Sequence, residues 1–187
     1  LEEGGVRRIA VIDDGCGIAA DDLQLALTRH ATSKIASLAE LERAGTLGFR
    51  GEALASIASV ARVRILSRTA QAASAMRLDS ASGELAPAAG PIGTTVEVLD
   101  LYSETPARRK FLKTPATEAA HCTEVFRRIA LAHAGIEFSL YIDDRRPERL
   151  PACERAARAL DLLGEEYESA HRVVEAQAGE LSLWGVL

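Results

Sequence analysis

Apolar and polar positions along the chain fall into runs of period two and of period three to four, and these runs mark out its elements. Residues 6–13 alternate basic and apolar side chains and then read Ile9-Ala10-Val11-Ile12, which predicts a core strand. The strand ends in Asp13-Asp14-Gly15-Cys16-Gly17, a turn where only small side chains fit. Asp21 or Asp22 can cap a helix carrying Leu23, Leu25, Ala26 and Leu27 to about His30. From residue 31 to 51 no single period dominates, and Gly45, Gly48 and Gly51 punctuate a stretch of lid-like length. Residues 52–60 then place Ala53, Leu54, Ile57 and Val60 on one helical face.

Strands are predicted over 62–68, 75–80 and 94–101, with a weakly patterned Ala/Pro/Gly loop over 81–93. Successive strands without helices between them predict an antiparallel meander. Residues 115–134 form the clearest helix, with a stripe of Cys122, Val125, Phe126, Ile129 and Ala132 and a stop at Gly135. A strand over 136–142, a helix over 152–163 and a last alternating run over 181–187 complete the pattern. The fold class expected is α+β. It is a two-layer α/β sandwich with a mixed, mostly antiparallel sheet and helices on one face.

The chain has 187 residues, 48% hydrophobic and 26% charged, enough to bury a core and unlike a disordered, collagen-like or coiled-coil composition. No apolar run approaches the roughly 20 residues that span a bilayer. The net charge of −5 argues against a surface that binds nucleic acid indiscriminately, while leaving room for a local basic patch. Cys16, Cys122 and Cys153 lie far apart, a pattern of reduced thiols in a cytosolic protein rather than of a disulfide framework or zinc site. The start at Leu1 and the alternating run at the other end both read as cut edges of a longer protein.

Gly15-Cys16-Gly17-Ile18-Ala19-Ala20 matches the dinucleotide fingerprint G-x-G-x-x-A between a strand and a helix. Two features oppose that reading. Asp13 and Asp14 would meet a pyrophosphate with like charge, and the second parallel strand ending in an acidic residue is missing. No Walker P-loop occurs. A different use of the aspartate is open: a carboxylate at a strand end accepts a hydrogen bond from an exocyclic amino group such as adenine N6. Gly15 and Gly17 would then let the flat base approach the backbone. A plain Asp-Gly turn is the bland alternative. His30, His121, His133 and His171 read as cap or surface residues, Arg127 and Arg128 as exposed, and Phe138 and Trp184 as core. Arg108, Arg109, Lys110 and Lys113 could meet DNA phosphates or form an ordinary solvated face.

Four blocks in register decide between these readings. They are Asp13-Asp14-Gly15-Cys16-Gly17-Ile18, the run from Arg29 through Thr32, Ser33 and Lys34 to Ile35, the run from Leu47 to Ile57, and Thr105-Pro106-Ala107-Arg108-Arg109-Lys110-Phe111-Leu112. Together they resemble the N-terminal ATPase region of the MutL family of DNA mismatch-repair proteins, in the superfamily of gyrase, heat-shock chaperones and sensor histidine kinases. The resemblance implies a Bergerat-type ATP-binding fold and assigns roles by position. Asp13 matches the adenine-binding aspartate, and Gly15 and Gly17 the glycines beside the base. Thr32, Ser33 and Lys34 match the nucleotide lid. Gly48, Phe49, Arg50, Gly51, Glu52, Ala53 and Leu54 match the motif whose backbone amides wrap the triphosphate. In Gly93-Thr94-Thr95, Thr94 is favoured as the threonine that supports the aspartate.

The same resemblance implies ATP and Mg²⁺ as cofactors of the intact protein. It also implies ATP-dependent homodimerisation and a coordinating role between a MutS-type mismatch-recognition protein and a downstream nuclease and helicase, acting on DNA in the bacterial cytoplasm at the nucleoid. Residues 1–151 would be an ATP-binding domain lacking its N-terminal helices, and 152–187 the truncated start of a second α/β domain. The family usually carries Asn where this chain has Asp14 and Glu104. Its water-activating glutamate and Mg²⁺-binding asparagine lie upstream of the Asp-x-Gly-x-Gly motif. Only twelve residues stand before Asp13, and the chain contains no asparagine at all. No catalytic or metal-binding residue is therefore assigned, and this polypeptide alone is expected to hydrolyse ATP at background rate.

Overall fold

The computed structural model describes residues 1–28, 52–164, 172–179 and 181–186. They divide into two compact units, Leu1–Pro115 and Ala116–Leu187. The first is built on a five-stranded sheet in the order β1-β5-β2-β3-β4, with β1 Arg8–Asp13, β2 Arg62–Arg68, β3 Ala75–Asp79, β4 Leu85–Ala88 and β5 Gly93–Leu99. Every pairing in it is antiparallel. Short helices α1 Ala20–Leu23 and α2 Ala53–Ala58 supply the second layer. The expected two-layer α/β sandwich with a mostly antiparallel sheet is therefore the observed architecture.

Period-two alternation explains the layers. On β2, Val63, Ile65 and Ser67 are buried while Arg62, Arg64, Leu66 and Arg68 between them are more open. Val63, Ile65, Leu23 and Leu78 form the closed core, packed by Ile18, Leu54, Ile57 and Val96. The opposite face is charged and cross-braced. Arg62 and Arg64 both donate to the Asp79 carboxylate, and Arg8 donates to Glu97 at 2.7 Å. Charges paired across neighbouring strands keep that face polar without isolated charge.

Strand β4 lies inside the stretch expected to be a loop. Pro87 breaks the strand pattern in sequence, yet β4 is an edge strand, where a missing N–H is tolerated. A short helix, α3 Pro106–Arg109, starts with Pro at its first turn. Helix α4 Pro115–Ala132 ends close to its expected bound.

In the second unit the predicted stripe of α4 is rotated. Ala119 and Ala130 are buried and Phe126 half-buried, whereas Val125 is 55% exposed. Small residues face inward because a long side chain fills the space beside them. Arg158, on α5 Arg155–Leu163, is fully buried. Its guanidinium donates to the carbonyl oxygens of Ala130, Ala134, Ile136, Leu150 and Pro151. It thus ties the C-terminal end of α4 to the ladder of β6 Phe138–Leu140 and β7 Glu148–Leu150. Phe126 meets Phe138 edge-to-face at 6.0 Å. Strands β8 Val173–Ala178 and β9 Leu181–Val186 make a separate hairpin.

Candidate functional site

The end of β1 carries the candidate chemistry. Pairing of β1 with β5 and of β5 with β2 sets Asp13, Thr94 and Ser67 in one row across three strands. Directly opposed residues on antiparallel strands share a face, so the three side chains stand side by side. Thr95 pairs with Ile12 and Leu66 and therefore belongs to the other face.

The Asp13 carboxylate is exposed but oriented. Its Oδ1 accepts the backbone N–H of Gly15 at 3.0 Å and of Thr94 at 3.2 Å. Two donors on one oxygen fix the plane of the group and leave Oδ2 without a partner among the described residues. Behind it, Ser67 Oγ accepts the N–H of Ile18 at 2.8 Å and lies 3.0 Å from both the Gly93 carbonyl oxygen and Thr94 Oγ1. Ser67 played no part in the sequence reading, although a serine continuing the apolar alternation of Val63 and Ile65 is the signal that marks it.

Glycines hold this corner together. Gly17 has φ +74°, and a Cβ there would stand 2.2 Å from the carbonyl oxygen of Arg68. Gly93 has φ +115°, and a Cβ there would stand 2.1 Å from the Asp13 carbonyl oxygen. Both permit main chains to touch where no side chain fits. Gly15 differs: its added Cβ would meet Asp13 Oδ1 at 2.9 Å, so the missing side chain leaves room for the carboxylate.

Of the other predicted site residues, Glu52 precedes α2, Ala53 opens it, and Leu54 is half-buried against the core. Thr32, Ser33, Lys34, Gly48, Phe49, Arg50 and Gly51 lie outside the described residues. Glu2 stands at the opposite end of β1, bridged to Arg8 and paired with Arg7 and Arg8. Five strand steps, about 17 Å, separate that end from Asp13. Cys16 is exposed, with Sγ 3.5 Å from the Gly17 carbonyl oxygen. Burial raises the pKa of the Cys122 thiol, with Glu118 adding to the effect. Among the described residues no group of three His, Cys, Asp or Glu is arranged to hold a metal, and no helix is long and apolar enough to cross a membrane. Phe111, just after Arg108, Arg109 and Lys110, is 83% exposed.

An antiparallel sheet layered with helices on one face, with Asp-x-Gly-x-Gly at the end of a strand, defines a GHKL-like α/β fold. Solved structures agree. An Aquifex aeolicus MutL ATPase domain complexed with ADP superposes with a TM-score of 0.70 at 26% identity, over 94% of this chain and 62% of that one. A second structure of the ATPase domain of Aquifex aeolicus MutL, described as a mismatch repair endonuclease, gives a TM-score of 0.66 at 23% identity, covering 97% of this chain and 61% of that one, and supports the fold alone. No protein-family model matches the chain.

Individual sequences go further. The DNA mismatch repair protein MutL of Ralstonia nicotianae is 54% identical over 99% of this chain and 29% of its own length. That of Thiobacillus denitrificans is 55% identical over 99% of this chain and 31% of its own. Over its whole length the chain is similar to proteins named MutL, as its motifs indicated, and it spans about a third of the length of the curated relatives it matches.

Proposed function

We propose that this chain is the adenine-nucleotide-binding part of a MutL-type mismatch-repair ATPase. The observation that carries the reading is the Asp13 carboxylate, clamped on Oδ1 by two main-chain N–H groups with Oδ2 left over as an acceptor. A fixed, charged acceptor suits the exocyclic amino group of adenine. The missing side chain at Gly15 leaves room for the Asp13 carboxylate, and Gly17 rests its main chain on Arg68, so the turn holds that carboxylate in place for a base. Thr94 would support the aspartate. The phosphates would be held by Thr32, Ser33 and Lys34 of the lid and by the amides around Gly48, Phe49, Arg50, Gly51, Glu52, Ala53 and Leu54, as in the family that the motifs resemble.

ATP supplies the phosphoanhydride bond whose cleavage drives the intact protein. The chain's own part is to bind and orient the nucleotide. Neither Glu2 nor Glu3 is near Asp13 along β1, and the chain has no asparagine. This polypeptide by itself is therefore expected to bind nucleotide weakly and to turn it over at background rate. In the intact protein, Mg²⁺-dependent binding would order the lid and favour a homodimer, and hydrolysis would release it. Such a two-state element could link a MutS-type mismatch sensor to downstream nuclease and helicase action on DNA. Calorimetric titration with ADP tests the binding reading. Asp13→Ala abolishes the heat signal if the reading is right, and unchanged affinity refutes it. Mg²⁺-dependent turnover by this polypeptide that Asp13→Ala removes would refute the expected inactivity.

A second reading, contact with nucleic acid through Arg108, Arg109 and Lys110, gains from the exposed Phe111 beside them, since a base can stack on a bare ring. A steep salt dependence of DNA binding, lost when those cations are neutralised, would favour it.

A further inference from the structure

Ser67 is 3% exposed and sits at the centre of a small hydrogen-bond chain beside the candidate base site. Its Oγ accepts from the Ile18 N–H and lies within 3.0 Å of the Gly93 carbonyl oxygen and of Thr94 Oγ1. A carbonyl oxygen only accepts, so the single Ser67 proton is committed to Gly93. The proton shared between the two hydroxyls must then be that of Thr94. Thr94 Oγ1 is left with lone pairs alone for any further partner, next to a carboxylate that is also an acceptor.

We propose that Ser67 is a positioning residue that locks the Thr94 hydroxyl as an acceptor and so makes the corner beside Asp13 selective for 6-amino over 6-oxo purines. The proposal rests on the reading of Asp13 as the base-binding residue. A 6-amino group, or a water bridging to it, donates into two acceptors. A 6-oxo group meets two acceptors and, among the described residues of this corner, no side-chain donor. Were Thr94 free to rotate, its proton could turn to the 6-oxo group and relieve that mismatch. Ser67 removes this escape, so selectivity comes from a repulsive arrangement as well as an attractive one. Ile18 adds a mechanical link: its N–H on Ser67 fixes the chain just after Gly17, which already rests on Arg68.

The test is the ratio of affinities for ADP and inosine diphosphate, measured by calorimetry on this chain. The wild type is expected to favour ADP. Ser67→Ala is expected to shrink that preference about tenfold, the change in one hydrogen bond at the base edge. Thr94→Val removes the rotatable donor together with the second acceptor and leaves the smaller preference set by Asp13, and Ser67→Ala combined with Thr94→Val returns to that same ratio. A merely structural serine would weaken both nucleotides alike. Should Ser67→Ala not fold, Ser67→Cys, whose thiol holds Thr94 weakly, is expected to narrow the ratio in the same direction. An unchanged ratio in a Ser67 variant that still binds ADP overturns the proposal and leaves the Asp13 reading standing. A wild type that binds no ADP, or an Asp13→Ala variant that binds it normally, overturns the Asp13 reading and this proposal with it.

Discussion

Substituting Gly15 with alanine isolates the orientation of one carboxylate from the stability of the fold. The added Cβ would stand 2.9 Å from Asp13 Oδ1, and no other heavy atom closer than the 3.8 Å of the Asp13 carboxyl carbon is within reach. Ordinary contact needs about half an ångström more, and the flexible end of a side chain can give that distance. The backbone need not move, and no left-handed conformation is demanded of the alanine. What yields is the pair of hydrogen bonds from Gly15 and Thr94, at 3.0 and 3.2 Å. With Asp13 exposed, their loss costs about 1 kcal/mol or less of stability, because water replaces them. A misaligned carboxylate forfeits a charge-assisted bond to the base worth about 1.5–3 kcal/mol, or roughly 10- to 100-fold in Kd. The assay is paired: thermal unfolding by circular dichroism, and ADP affinity by calorimetry. A midpoint lowered by no more than about 5 °C, with affinity down at least tenfold, is expected. Unchanged affinity would refute the orienting role of this corner.

Three further outcomes follow from other sites. Gly17→Ala forces a Cβ to 2.2 Å from a main-chain oxygen at φ +74°, so it is expected to destabilise the first unit by about 3 kcal/mol or more in denaturant unfolding. Arg158→Met keeps the bulk but strips the donor from five carbonyl groups; the second unit is expected to lose about 3 kcal/mol, read by hydrogen exchange over α4. Arg62, with the Ala81 N–H and Arg64, holds the Asp79 carboxyl well below the usual carboxylate range against the opposing effect of burial. A depressed folded-state pKa contributes stability above the unfolded value near 3.8 and loses it on acidification. Unfolding midpoints should fall between pH 5 and 2 less steeply in Asp79→Asn than in the parent.

How far the sequence reaches differs by element. Strands β2 and β3 were legible almost to the residue because alternation on a half-buried sheet leaves a clean period of two. Strand β4 was not, since Ala86, Pro87 and Ala88 carry little strand signal and only an edge position tolerates that proline. Apolar spacing does not mark the inward face of α4, where Val125 is exposed while Ala119 and Ala130 are buried. Alanines face inward there to admit Arg158, whose burial depends on carbonyl groups gathered from distant positions and leaves no local pattern. At the site, Asp13, Gly15 and Gly17 could be named from their motif, whereas Ser67 gained meaning only when strand register set it beside Thr94.

The most direct measurement is a crystal structure of this chain soaked with ADP. The base should lie against Gly15 and Gly17 with its 6-amino group within hydrogen-bond distance of Asp13 Oδ2. A base bound elsewhere, or one that presents a different edge to Asp13, would contradict the account.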